Sequence, residues 1–96
     1  MAKGYWIAFY RTVSNAAALA EYAKLAGPAI EAGGGKFLAR GVPVEVYEAG
    51  LRERTVLIEF ESAAKAVATY ESERYQAAAK VLNGAVQREV RIVEGI

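Results

Sequence analysis

The apolar and polar positions of this chain follow two periods, and the shorter period marks four β-strands. These segments are rich in aromatic and β-branched residues, or they alternate between apolar and polar side chains. They cover residues 5–11, 36–40, 54–61 and 86–93. Pro43 has no N–H to donate to a sheet, so the second strand is expected to bend at residues 41–43. Residues 44–47 are expected to continue that strand at an edge.

A longer period of three to four residues marks a helix between the first two strands. Its apolar stripe consists of Leu19, Tyr22, Ala23, Ala26 and Ile30. Ser14 and Asn15 precede the stripe, and both residue types favour the N-cap position. Gly27 and Pro28 interrupt it and predict a kink or a restart, because proline removes a backbone donor. The three glycines at positions 33–35 are expected to end the helix.

A second helical region lies between the last two strands. Ser62 is placed to cap its first helix and Ser72 to cap a further helical segment, which Asn83 and Gly84 end. The resulting order is strand, helix, strand, strand, helix, strand, which is the split βαβ pattern of the ferredoxin-like fold. We therefore predict a single α+β domain over residues 1–96, with a four-stranded antiparallel sheet and two helices on one face.

Alternation along the strands divides their side chains between two sheet faces. One set is wholly apolar and is expected to meet the helices: Ile7, Phe9, Val56, Ile58, Phe60, Val90 and Ile92. The opposite set mixes rings, aliphatic groups and charges: Trp6, Tyr10, Leu57, Val93, Glu59, Glu89 and Arg91. Soluble monomers rarely expose such an aromatic patch to water. The pattern therefore predicts that a second copy covers this face in an isologous homodimer.

Composition and charge argue against several function classes. The net charge of +1 gives no basic surface for a nucleic acid. The chain contains no histidine and no cysteine, so the commonest metal ligands and the usual acid–base residue near neutral pH are missing. No apolar segment is long enough to span a bilayer. We therefore expect a cytoplasmic protein without a metal, a cofactor, a nucleic-acid partner or a membrane partner.

Arg40 stands out because it directly follows the apolar residues 37–39 of the second strand. If its side of the strand faces the mixed side of the sheet, Arg40 is placed to pair with Glu59 or Glu89. Arg40, Arg54 and Glu59 then form a candidate site for a carboxylate-bearing ligand, since a guanidinium fork fits a carboxylate. The alternative is a structural ion pair between strands or between subunits.

Aromatic residues provide a second candidate site. An apolar pocket with polar tips could be lined by Tyr10, Tyr22, Tyr70, Tyr75 and Trp6. Such a pocket suits a small aromatic or enol-like substrate, whereas the alternative is that these rings belong to the core and to the interface. Tyr75 and Gln76 also stand near the start of a helical segment, where backbone N–H groups attract an anion unless the helix end is simply capped.

Glu59 is the candidate catalytic residue. Without histidine or cysteine, proton transfer must use glutamate, tyrosine or lysine. A carboxylate that is desolvated beside aromatic groups has its pKa raised towards neutrality, as a general base requires. If Glu59 is instead paired with an arginine, it stays ionised and inert.

Three sequence blocks resemble a known family. They are GGKFLARG at residues 34–41, RTVLIEF at 54–60 and YESERYQ at 70–76. As a set, they resemble the bacterial DUF1330 family, a domain of unknown function, over essentially the whole chain. The resemblance implies a ferredoxin-like fold and a dimeric α/β-barrel assembly, similar to those of cofactor-free monooxygenases of antibiotic biosynthesis, chlorite dismutase relatives and muconolactone isomerases. It implies no established activity, and the chain departs from the family pattern in loops at Val42, Glu61 and Glu73.

The sequence thus predicts a small homodimeric domain that binds a small apolar or carboxylated metabolite, with or without transforming it. The alternative is a catalytically silent assembly or regulatory domain. A closed pocket with tyrosines and with Arg40 or Glu59 at its wall favours the first interpretation. A filled sheet face with every charge paired favours the second.

Overall fold

Four antiparallel strands form one sheet, and three helices pack against one of its faces. The computed structural model describes residues 2–96. The elements are β1 (Gly4–Val13), α1 (Ala16–Ala32), β2 (Lys36–Gly41), β3 (Thr55–Phe60), α2 (Ala63–Glu71), α3 (Glu73–Val81) and β4 (Val86–Glu94). The strands lie in the order β2-β3-β1-β4. This arrangement confirms the predicted ferredoxin-like fold.

The helix ends lie where the capping residues predicted them. The side chain of Asn15 accepts a hydrogen bond from the Ala18 N–H at 3.0 Å, and Ser62 and Ser72 cap α2 and α3 in the same way. After α1, Gly34 adopts a φ of +95°, a left-handed conformation that glycine reaches without strain. Interruptions were predicted in both helical regions. Only the one at Ser72 divides its region into two helices, α2 and α3, so that the structure has three helices.

Two predictions near the prolines are corrected. Of the kink or restart expected at Pro28, the restart is wrong, because α1 continues through Pro28; the ring removes one backbone hydrogen bond, and Pro28 lies at an exposed position of the helix. Residues 44–47 do not extend β2. They belong to a loop in which Arg52 donates to the carbonyls of Pro43 and Val44 at 3.4 and 3.2 Å. Backbone groups that a strand would pair with a neighbour are held here by a side chain instead.

The orientation of β1 is the reverse of the predicted one. Trp6, Ala8 and Tyr10 face the helices and are buried, whereas Ile7 and Phe9 lie on the opposite face and are half-buried. The register explains this, because Trp6 lies opposite Ile58 on β3 and opposite Ile92 on β4. The prediction assigned β3 and β4 correctly: Ile58 and Ile92 face the helices.

Packing gives the physical reason for this orientation. The Trp6 ring is 1% exposed and lies 6.1 Å from the Phe60 ring and 4.8 Å from the Tyr75 ring, measured between centroids. Burying the largest apolar side chain of the strand contributes more than burying an isoleucine. Gly4 completes the fit, since a Cβ there would lie 2.4 Å from the backbone nitrogen of Ala63 at the start of α2.

A bulge in β2 reverses the side chains at the end of that strand. Lys36 lies opposite Glu59 on the outer face, but the register shifts between Phe37 and Ala39. Arg40 therefore lies opposite Val56, which faces the helices. The predicted pairing of Arg40 with Glu59 or Glu89 is wrong for this reason.

The face of the sheet away from the helices, called the outer face below, carries paired charges among apolar groups. Glu89 receives bonds from Arg11 and Arg91, and these bonds hold the pKa of its carboxyl below the ordinary value. Glu59 accepts a hydrogen bond from the Tyr5 hydroxyl at 3.1 Å. Apolar side chains on this face include Ile7, Phe9, Leu57 and Val93. Within the described residues, no helix is both long and apolar enough to cross a bilayer.

Candidate anion-binding site

A small cavity opens between the middle of α1 and the helix-facing side of the sheet. Small residues of α1, among them Ala23, Ala26 and Gly27, keep the helix backbone close to the cavity, and Ala8 leaves space on β1. The total space between the protein atoms is about 390 Å³ including open solvent, and the centre of a water-sized sphere can occupy about 30 Å³ of it. The remaining wall is apolar except for two tyrosines and three arginines.

One row of residues across the sheet places two of these arginines beside a tyrosine. Tyr10 lies opposite Arg88 of β4, and its N–H donates to the carbonyl of Arg54 at 3.0 Å. The guanidinium carbons of Arg54 and Arg88 lie 5.9 and 5.5 Å from the centre of the Tyr10 ring. Because side chains alternate along a strand, those of Tyr10, Arg54 and Arg88 all lie on the helix-facing side of the sheet. Arg40 joins them because of the β2 bulge, and its guanidinium lies 4.8 Å from the centre of the Phe37 ring.

Arg88 holds three phenol groups together. Its Nη1 donates to the hydroxyl oxygens of Tyr10 and Tyr22 at 3.2 and 3.3 Å, and its Nη2 donates to Tyr75 at 2.9 Å. The hydroxyls of Tyr22 and Tyr75 also bond to each other at 2.7 Å. The three tyrosines are buried, with Tyr10 3%, Tyr22 7% and Tyr75 0% exposed. This cluster of one arginine and three tyrosines is called the phenol cluster below.

Two phenols of this cluster, Tyr10 and Tyr75, are held in the neutral form that donates a hydrogen bond. Burial raises the pKa of Tyr10 above its ordinary value, and the nearby charge of Arg88 offsets this only in part. Burial likewise raises the pKa of Tyr75, with Tyr22 adding to the effect. Both hydroxyls therefore keep their protons at neutral pH.

The positive charge at the cavity has no internal counter-ion. Within residues 2–96, no glutamate lines the cavity or forms an ion pair with Arg40, Arg54 or Arg88. The Nε atom of Arg54 is also buried without a hydrogen-bond partner in this part of the chain. The described residues contain no group of three or more side chains arranged to hold a metal ion. The cavity is therefore rich in donors and positive charge, which suits an anionic ligand.

The structure brings together some of the predicted site residues and separates others. Tyr10, Tyr22, Arg40 and Arg54 all line the cavity, and Tyr75 lies behind Tyr22. Glu59 does not belong to this group, because it is on the outer face.

Neither Tyr70 nor the start of α3 contributes to the wall of the cavity. Tyr70 packs against Trp6 with 5.4 Å between ring centroids and does not line the cavity. At the start of α3, the N–H of Tyr75 donates to Ser72 Oγ, and the N–H of Gln76 donates to the Ser72 carbonyl. This helix end is thus capped, as the alternative interpretation stated.

Sequence reasoning missed Arg88. The signal was present, because Arg88 shares its alternation with Val90 and Ile92, the two β4 residues assigned to the helix-facing side. An arginine at such a position indicates either a buried ion pair or a ligand site.

Several solved structures are similar to this chain. A protein of unknown function from Rhodopseudomonas palustris superimposes with a TM-score of 0.76 at 19% identity, covering 99% of this chain and 83% of that chain. A dimeric ferredoxin-like protein of unknown function from Thermobifida fusca gives a TM-score of 0.64 at 18% identity, covering 96% of this chain and 90% of that one. A second dimeric ferredoxin-like protein of unknown function, from Jannaschia sp. CCS1, gives a TM-score of 0.67 at 14% identity, covering 95% of this chain and 97% of that one. At these identities the likeness shows the fold alone.

Comparison of the sequences gives two further findings. No functionally curated protein matches the chain. The family model described as "Domain of unknown function (DUF1330)" matches residues 3–96.

Proposed function

The chain belongs to the DUF1330 family, and on that premise we propose that it binds a small organic carboxylate in the cavity between α1 and the sheet. The observation that carries the proposal is the approach of Arg40, Arg54 and Arg88 to one apolar cavity that no glutamate of the described chain lines. Arg40 is exposed, but Arg54 and Arg88 are half-buried. A guanidinium that is partly removed from water without a counter-ion is costly, and a bound carboxylate supplies that partner.

The dimensions of the cavity favour a ligand with a small head group. The centre of a water-sized sphere has only about 30 Å³ to occupy in this cavity, which is room for a small ligand group. A carboxylate is of this size, and the rest of the molecule then extends towards solvent through the open side of the cavity. Apolar wall groups such as Phe37 favour a hydrocarbon body over a sugar or a nucleotide.

The proposal is limited to binding because the arrangement offers little support for proton transfer by Glu59. Its carboxylate is bonded to Tyr5 on the outer face, on the other side of the sheet from the cavity. The groups at the cavity that carry exchangeable protons are arginines and neutral phenols, which donate hydrogen bonds and orient a ligand.

A thermal-shift experiment tests carboxylate binding. Butyrate and benzoate are compared with butyramide and benzamide at equal ionic strength, because a ligand that binds only the folded state raises the melting temperature. We expect the acids to stabilise the protein and the neutral amides not to. Arg54→Met should abolish this stabilisation, whereas Arg91→Met, which removes an arginine from the outer face, should leave it unchanged. Equal effects of acids and amides, or unchanged binding by Arg54→Met, would refute the proposal.

We also propose that a second copy of the chain covers the outer face in a homodimer. Ile7, Phe9 and Leu57 form an apolar strip there, and the bonding of Glu89 to two arginines lowers the cost of burying its charge. The two neighbours described as dimeric share this fold.

Analytical ultracentrifugation at micromolar concentration tests the homodimer. The parent chain should sediment as a dimer and Leu57→Glu as a monomer. The control Val67→Glu, at an exposed position of α2, should remain dimeric. A monomeric parent chain would refute this proposal.

A further inference from the structure

We infer that the ligand is an oxo-carboxylate, whose carboxylate meets Arg54 and Arg40 and whose oxo oxygen accepts hydrogen bonds from the hydroxyls of Tyr10 and Tyr22. This inference rests on the proposed function, since it takes the carboxylate site as given. It adds a second recognition site, which the phenol cluster provides.

The phenol cluster has more hydrogen-bond donors than the protein acceptors around it can satisfy. The three phenol oxygens all accept from Arg88, so none of these bonds uses a phenolic proton. Of the three phenolic protons, the bond between Tyr22 and Tyr75 satisfies one. Within residues 2–96, the other two have no protein acceptor. Buried donors almost always find a partner, so a partner from outside the chain is expected here.

The positions of the tyrosines indicate where those two protons point. Tyr75 is completely buried and does not line the cavity, so its proton is best satisfied by the oxygen of Tyr22. Tyr22 and Tyr10 do line the cavity, and each then has a proton free to point into it. Both of their oxygens accept from the same Nη1 atom of Arg88, which keeps the two hydroxyls close enough to donate to one polar group.

The chemistry of the cluster favours a carbonyl oxygen over a second carboxylate. Nη1 of Arg88 is used by two phenols and Nη2 by a third, so the end-on fork that would bind a carboxylate in a bidentate manner is occupied. The groups that contact the ligand are the hydroxyls of Tyr10 and Tyr22, whose oxygens accept hydrogen bonds from the Arg88 guanidinium. Such polarised hydroxyls are strong donors to a carbonyl oxygen.

The spacing allows one short molecule to reach both sites. The Arg54 guanidinium carbon lies 5.9 Å from the centre of the Tyr10 ring, and the Tyr10 hydroxyl belongs to the phenol cluster. Arg54 and Tyr10 also line the same cavity, so the inference requires an acid whose oxo group lies close to the carboxylate.

Matched pairs of acids test the inference by NMR titration. Each pair differs only in the oxo group: 2-oxobutyrate against butyrate, and 4-oxopentanoate against pentanoate. We expect the oxo acid to bind about tenfold more tightly in at least one pair, as two neutral hydrogen bonds would give. Tyr10→Phe and Tyr22→Phe should each reduce this preference several-fold, because the oxo acid loses more affinity than the plain acid when a donor to the oxo oxygen is removed. Tyr5→Phe, on the outer face, is the matched control, and melting curves without ligand show that each variant is folded.

The outcomes separate this inference from the proposed function. If both members of each pair bind equally and still require Arg54, the oxo-acid inference fails and carboxylate binding stands. If succinate binds more tightly than both oxo acids, the second site prefers a carboxylate and the inference is wrong. If none of the acids binds, the proposed carboxylate binding is refuted, and the oxo-acid inference is refuted with it. A preference for the oxo acid that Tyr10→Phe and Tyr22→Phe leave unchanged would also contradict the inference.

Discussion

The hydroxyl of Tyr75 is expected to stabilise the fold measurably, and Tyr75→Phe tests this. The change removes one oxygen that accepts from Arg88 at 2.9 Å and bonds to Tyr22 at 2.7 Å. The ring keeps its edge contact with Trp6, at 4.8 Å between centroids, so packing is retained. The variant therefore isolates the polar contribution.

The expected loss follows from the two bonds. A hydrogen bond to a charged group is worth about 1.5–3 kcal/mol and a neutral one about 0.5–1.5 kcal/mol. Arg88 keeps Tyr10 and Tyr22 as partners, and its half-buried position admits water, so part of the loss is recovered. We expect the free energy of unfolding to fall by about 2–3 kcal/mol and the melting temperature by roughly 10–15 °C.

Urea unfolding followed by Trp6 fluorescence measures this loss, because the chain has one tryptophan and its ring is buried. Tyr5→Phe is the matched control. It removes a tyrosine hydroxyl from the outer face, and its cost should be below about 1 kcal/mol. A loss below about 0.5 kcal/mol for Tyr75→Phe would contradict the bonding described for the phenol cluster.

The same variant also predicts a change in the pH dependence of stability. Burial raises the pKa of Tyr75, so the folded chain keeps a proton that the unfolded chain loses above its pKa of about 10. The stabilisation is fully present below pH 10 and declines as the pH rises above it, by about 1.4 kcal/mol per pH unit. Tyr75→Phe should remove this component, leaving a shallower decline between about pH 10 and 11. Identical slopes for both proteins would contradict the raised pKa.

The remaining predictions concern the fold and use the same urea assay. Gly4→Ala should cost at least about 2 kcal/mol, because the new Cβ would lie 2.4 Å from the Ala63 nitrogen; a smaller cost would mean that α2 can move away from β1. Ser72→Ala should cost about 1–2 kcal/mol, because Ser72 caps α3 and also donates to the Thr69 carbonyl; an unchanged midpoint would contradict that role. Lys65→Ala should cost less than about 0.5 kcal/mol, because its ion pair with Glu61 is exposed; a larger effect would show that this surface pair contributes more than such pairs usually do.

Much of the fold could be predicted from local sequence. Ser62 and Ser72 indicated both helix starts correctly, because a cap depends on a side chain and the N–H groups three residues ahead of it. The alternation within β3 placed Ile58 and Phe60 in the core, because only one face of that strand is wholly apolar. Such features depend on neighbours along the chain, which the sequence displays.

The candidate site could be predicted only in part. Tyr10, Tyr22, Arg40 and Arg54 were named from their chemistry, but their assembly around one cavity depends on a bulge and on strand register. Glu59 was grouped with Arg40 because regular alternation would have put them on one face. A single extra residue in β2 separated them.

Local patterns along the chain were sufficient to predict the order of the elements, their ends and the existence of two unlike sheet faces. They were not sufficient to predict which face of β1 meets the helices, because both faces of that strand are apolar and alternation assigns no direction. Packing decides the orientation of β1, because the Trp6 ring fits among the rings of Phe60, Tyr70 and Tyr75. Tyr10 then lies on the same helix-facing side, opposite Arg88 of β4. The physical reason is that burial area and strand pairing are properties of segments far apart in the chain, whereas capping and alternation are local.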